Sequence, residues 1–269
     1  MSDFVQQQSV ECRFDSSDSW VILSPIEQSI KRKIESVGTP LKNWDIQINY
    51  GIKTGFNDAF IINTEKRNEI LDNCSSEEER TKTAELIRPI LRGRDIKRYG
   101  YDWANLWLIN THNGIKGVKP RIDVNDYPAI KAHLDQYWDK ISKRADKGDT
   151  PYNLRNCAYL DDFNKPKIVW NRIASIKQFA LVDCGIYIQD SMHFIIGTNL
   201  NYLCSILNSK LIQWLLYLII GEAAGGNAGN ADNIWNLHIP QTNIDCNVND
   251  IDVYALYDLT DEEIKYIER

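Results

Sequence analysis

The stretch KPKIVWNRIASIKQFALVDCGIYIQDSMHFII, residues 165–196, decides the fold class. It holds four short apolar runs, at 167–170, 179–182, 186–188 and 193–196, rich in β-branched and aromatic residues and too short for helices. They predict strands, with the middle pair closing a hairpin around Asp183, Cys184 and Gly185. Directly after them Leu200, Leu203, Leu207, Leu211, Trp214, Leu215 and Leu218 trace one apolar stripe, which predicts a helix over 199–220 that packs on a sheet. Upstream, Ile130, Leu134, Trp138 and Ile141 place a helix over 128–147, ended by Gly148.

The same alternation runs to the start of the chain. Ser24, Pro25 and Glu27 have capping-box spacing and open a helix that Gly38 ends. A strand from Trp44 to Tyr50 leads through GIKTGFND into a second apolar run at 59–62, and a polar helical stretch covers 64–86. RPILRGRDIKRYGY follows, where Pro89, Gly93 and Gly100 predict an irregular basic segment, then a strand at 107–109 and a loop with Gly114 and Gly117. Short strands interleaved with helices at no fixed period predict an α+β fold with mixed or antiparallel sheets, rather than a doubly wound parallel one. The chain is expected to divide into a leader or linking segment at 1–19, a main domain at 20–240 and an acidic, helical tail at 241–269.

The tail explains the net charge. Of 31 Lys and Arg against 37 Asp and Glu, it holds Asp245, Asp250, Asp252, Asp258, Asp261, Glu262, Glu263 and Glu268 against Lys265 and Arg269. It therefore accounts for the whole formal charge of -6, and 29 bases meet 29 acids elsewhere. Within that neutral body Arg88, Arg92, Arg94, Lys97, Arg98, Lys116, Lys119 and Arg121 face only Asp95 and Asp102 between residues 86 and 121. Lys165, Lys167, Arg172 and Lys177 form a second block without an acid. Bases on glycine-containing loops beside Trp, Tyr and Asn suit phosphates and base edges, although a glycan or an acidic protein could use the same surface.

Signals for catalysis are missing. GGNAGN at 225–230 lacks the Lys and Ser or Thr of a phosphate-binding loop, and no G-x-S-x-G elbow occurs. DTPY at 149–152 comes within one residue of the D-P-P-Y motif of adenine amino-methyltransferases, but follows a helix-ending glycine and reads as a turn. Glu263, Ile264 and Lys265 have the E-x-K spacing of metal nucleases, yet on a terminal helix. The six cysteines show no paired spacing and the four histidines no metal-type pair, so no metal site is expected, and reduced thiols fit a cytoplasmic protein. LIQWLLYLII, at 211–220, is too short to span a membrane.

Five segments, taken in order, resemble the TaqI-like specificity domain, the target-recognition part of type II and type IIG adenine-specific restriction-modification methyltransferases. They are GIKTGFNDAFII, IRPILRGRDIKRY, AYLDDFNKPKIVWNRIA, YLCSILNSKLIQWLL and IWNLHIP, the last with His238 where the family usually has proline. The resemblance implies a reader of double-stranded DNA without catalytic residues of its own. It would work with a methyltransferase catalytic domain, in cis or in trans, that binds S-adenosylmethionine, with magnesium where cleavage accompanies methylation. It further implies that Lys53, Thr54, Gly55 and Asn57, then Arg92, Arg94, Lys97 and Arg98, and finally Asn171 and Arg172 face DNA, and Lys116 and Lys119 of the basic block join them as candidates. A specificity subunit of a multisubunit restriction or phage-defence system, a glycan- or protein-binding module and a small metal nuclease are the other readings.

Overall fold

A strand with no polar alternation needs cover on both faces, and Lys167–Asn171 obtains it at the centre of a sheet, with its first four residues buried. The computed structural model describes residues 23–173, 178–220 and 231–269. Ten strands occur among them: β1 (Thr39–Pro40), β2 (Ile46–Tyr50), β3 (Ile61–Asn63), β4 (Ile87–Leu91), β5 (Leu106–Ile109), β6 (Lys167–Asn171), β7 (Ala180–Val182), β8 (Tyr187–Ile188), β9 (Met192–Gly197) and β10 (His238–Ile239). The chain forms two compact units, one spanning 47–172 with 178–200 and the other gathering the described residues of 1–46, 173–177 and 201–269.

The first unit contains two four-stranded sheets, ordered β2-β9-β6-β7 and β3-β5-β4-β8. β6 runs antiparallel to β9, with Trp170 opposite His193, and antiparallel to β7, with Lys167 opposite Val182. β4 is antiparallel to β5 but parallel to β8, where Ile90 faces Tyr187. With helices packed around these mixed sheets, the fold is α+β as expected. Phe163 stacks on Tyr187 at 4.5 Å and touches Phe194 at 4.8 Å, at the heart of a core that includes Ile90, Leu91, Leu108 and Ile109.

Several expected elements differ. The hairpin at 179–188 does not form, because β7 joins one sheet and β8 the other. The turn between them is fastened by Lys167, which is fully buried and donates to the Phe163, Asp183 and Ile186 carbonyls at 3.0, 3.2 and 3.3 Å. The segment expected to be irregular begins as strand β4. Pro89 is tolerated there because pairing with β5 ends at that residue and pairing with β8 begins at Ile90. The helix expected over 64–86 breaks into Thr64–Asp72 and Glu77–Leu86, where Ser76 caps the second piece. The helix expected over 128–147 becomes Pro128–Asp135 and Trp138–Ile141, since Arg144 beyond it is drawn inward to distant carbonyls. The long stripe at 199–220 is interrupted between Leu200–Leu207 and Lys210–Ile220, where Asn208 bonds back to the Cys204 carbonyl at 2.9 Å. No helix among the described residues is long and apolar enough to cross a membrane. The leader and the GGNAGN segment lie outside the described residues.

In the second unit β1 pairs antiparallel with β10. Ser24 caps the helix Pro25–Val37 with the expected capping box. The acidic tail forms helices Asp250–Leu256 and Asp261–Ile267, each with a capping box of its own. Glu263, the acid of the E-x-K triplet, is buried and accepts from Ser29 at 2.7 Å, Lys33 at 2.8 Å and the Thr260 amide at 2.8 Å. It anchors the tail to the first helix, which leaves the nuclease reading without its carboxylate. Burial alone would raise the Glu263 carboxyl, but the Lys33 ammonium, the Thr260 amide and the Ser29 hydroxyl overturn that and bring it down to about 2. Because the folded value lies below the unfolded one, the stabilisation is complete above pH 4.5 and is lost as pH falls towards 2. Glu263→Gln is expected to cost about 2 kcal/mol at pH 7 in urea unfolding and to converge with the parent at the acid end.

Candidate nucleic-acid interface

Two glycines bring candidate loops close to neighbouring chain. Gly55 has φ +70°, and a Cβ there would lie 2.7 Å from the Asp146 carbonyl oxygen. At Gly93 a Cβ would lie 1.9 Å from the side-chain oxygen of Asn171, so the basic turn after β4 rests directly on the end of β6. Asn171 also donates to the Gly93 carbonyl at 2.8 Å.

The loop after β2 is held from beneath by Arg144. This buried side chain donates to the carbonyls of Thr54, Asp146, Pro151 and Asn153, at 2.8 Å for Asp146 and 3.1 Å for Pro151. Its guanidinium also lies 4.4 Å from the centre of the Phe60 ring. Burial lowers its pKa to about 10, with the Asp146 carboxylate opposing the shift. Thr54 is buried and donates to the Asn57 side chain at 2.6 Å, so these two close their own turn. Lys53 stays exposed and meets Asp146 at 2.9 Å, a carboxylate it shares with Arg155 at 3.2 Å. The Lys53 hydrogen bond, ahead of the Arg155 contact, draws the Asp146 carboxyl below its ordinary value.

In the turn after β4, Arg92 is engaged internally. Its guanidinium grips buried Asp95 in bidentate fashion at 2.8 and 3.2 Å, and its amide donates to the same carboxylate at 2.8 Å. Arg94 and Lys97 are exposed, the latter 3.9 Å from Asp102, and Arg98 lies 5.2 Å from the Tyr99 ring. Tyr99 itself has φ +75°, held by its amide bonding to Phe179 and its carbonyl accepting from Leu181. Lys116 is exposed on the hairpin closed by Ile115 and Lys119, whose lysine pairs with Asp161 at 3.0 Å.

These loops border two concavities that share Asn156 and Cys157. The smaller, about 380 Å³, is lined by Tyr50, Lys53, Arg155, Arg172 and Asp190 among others. The larger, about 910 Å³, is formed by the 113–121 hairpin with Asp149 and Ala158. Their walls carry six bases, Lys53, Arg155, Arg172, Lys116, Lys119 and Arg121, against two acids, Asp149 and Asp190. The structure thus joins Lys53, Gly114–Arg121 and Arg172, far apart in sequence, while the 92–98 turn adjoins through Asn171. The ion pairs among them are largely exposed and worth little, so a phosphate can replace the carboxylates. Arg155, Arg121 and Asn156 also line the surface, and Arg144 supports it. Arg121 belonged to a visible basic block, whereas the other three stood outside both. No group of acids, cysteines and histidines able to hold a metal occurs among the described residues.

A family model described as the TaqI-like C-terminal specificity domain matches residues 88–225. The match takes in the 92–98 turn, the 113–121 hairpin, Asn171 and Arg172, and leaves out the Lys53 loop. No curated protein matches the chain. Among solved structures the chain is similar to the type IIL restriction-modification enzyme MmeI, solved in complex with DNA, with a TM-score of 0.54 and 14% identity, over 74% of this chain and 25% of that one. It is also similar to the type IIG restriction endonuclease BpuSI, with a TM-score of 0.52 and 16% identity, over 87% of this chain and 27% of that one. The chain spans about a quarter of the length of each, and the likeness is one of fold.

Proposed function

The chain belongs to the TaqI-like C-terminal specificity domain family, and from that membership we propose that it reads double-stranded DNA for an adenine-specific restriction-modification methyltransferase or a fused methyltransferase-endonuclease. The observation that carries this reading is the gathering of six bases around two joined concavities, on loops that flank a rigid sheet end. Lysines and arginines of this kind neutralise phosphates and set register, while Asn156, Arg172 and the neighbouring loops would supply contacts to base edges. The methyl transfer itself belongs to a catalytic partner in cis or in trans, with S-adenosylmethionine as its cofactor. In that arrangement the reader aligns the duplex while the partner extrudes the target adenine.

Binding of the chain to a 30-bp duplex, followed by anisotropy across a salt series, tests the reading. A steep loss of affinity with salt is expected, and the combined Lys116→Ala and Lys119→Ala substitutions should reduce the log-log slope by about 2. Absence of binding at low salt, with the methyltransferase partner present, would refute it. Since the body of the chain is electrically neutral overall, the isolated chain should bind weakly and gain affinity from its partner.

A further inference from the structure

The smaller concavity has a feature that reading intact duplex does not require. Tyr50, at the end of β2, is 48% exposed, and its ring meets that of buried His193 at 4.6 Å, tilted by 51°. His193 in turn stacks on buried Trp170 at 5.2 Å and 16°, and Trp170 meets Phe179 at 5.7 Å. A half-exposed tyrosine backed by packed core rings is held in place, and β2 sets it in the lining of a charged concavity. In a base-paired duplex the faces of the bases are covered by their neighbours, and only their edges reach the grooves. An aromatic platform of this kind therefore has nothing to stack on until a base leaves the helix.

We propose that the concavity bordered by Tyr50, Lys53, Arg155, Arg172 and Asp190 receives a single nucleotide extruded from the bound DNA. The inference rests on the DNA-reading role proposed above. Tyr50 takes the base face, while Lys53, Arg155 and Arg172 offer charge to the flanking phosphates. Asp190 is an acceptor on the same wall, and a carboxylate suits the exocyclic amino group of cytosine or adenine rather than the carbonyl of thymine. The pocket thus offers an unstacked base a place on this chain itself.

Anisotropy with two otherwise identical 20-bp duplexes, one fully paired and one with a single bulged cytidine, tests this with the chain as it is. The bulged duplex has already lost the stacking that extrusion must break, so it should bind at least about 10-fold more tightly. Tyr50→Leu, which keeps bulk at this half-exposed strand end, should abolish the preference, and Tyr50→Phe should retain it. Asp190→Asn should erase discrimination between a bulged cytidine and a bulged thymidine. Equal binding of both duplexes, or a preference untouched by Tyr50→Leu, would overturn the inference while leaving DNA reading intact. Failure to bind either duplex at low salt, with the methyltransferase partner added as well, would instead remove the DNA-reading role and this site with it.

Discussion

Replacing Arg144 with leucine is expected to destabilise the chain by about 4 kcal/mol in urea unfolding and to abolish DNA binding under conditions where the remainder is still folded. The physical reason is the number of carbonyls that depend on this one side chain. Thr54, Asp146, Pro151 and Asn153 all accept from its guanidinium, and a buried acceptor left unsatisfied costs about 1–3 kcal/mol. Leucine retains part of the packing on Phe60 and supplies no donor. Lysine is not expected to rescue, because an ammonium cannot span four carbonyls that a planar fork reaches. The binding loss follows from geometry, since the same bonds hold the loop that presents Lys53 beside Arg155. If Arg144→Lys restored both stability and binding, the fork would not be what positions the loop.

The second large effect is a pH dependence centred on Lys167. Burial holds its ammonium well below the ordinary lysine range, at about 8, with weaker opposition from Cys184 and Asp183. The unfolded chain keeps this proton up to about pH 10.5 and the folded chain releases it near 8. Between those values the unfolded state binds more protons, so folding stability rises with pH across that window. Relative to Lys167→Met, which has no proton to release, the parent should gain about 3 kcal/mol between pH 8 and 10.5. Urea midpoints measured at half-unit intervals will show it. A difference that stays constant with pH would mean that the three carbonyls keep Lys167 charged in the fold.

These two residues mark the boundary of what a linear reading reaches. The apolar runs that became β6, β7, β8 and β9 were legible because burial on both faces leaves an uninterrupted apolar string. Their pairing was not, because a strand of period two accepts any neighbour, and the supposed hairpin at 179–188 divides between two sheets. The breaks in the three long helices were equally hidden. Asn208 and Arg144 end helical runs through bonds to main-chain carbonyls, and a carbonyl carries no side-chain signature. The capping boxes at Ser24 and Thr260 were readable because both partners lie three residues apart.

The candidate surface divides along the same line. By itself the amino-acid sequence determined the α+β class, the confinement of the net charge to the tail and the placement of bases on glycine-containing loops. Those are properties of composition and local spacing, and they hold whatever the chain packs against. Only the tertiary structure decided which bases face outward. It engages Arg92 with Asp95, buries Lys167 among carbonyls and Arg144 beneath a loop, and brings Arg155 and Arg172 to the wall that Lys53 shares. A cation's charge is written in its residue type, but its availability depends on which acceptors lie within about 3 Å, and distant parts of the chain supply them.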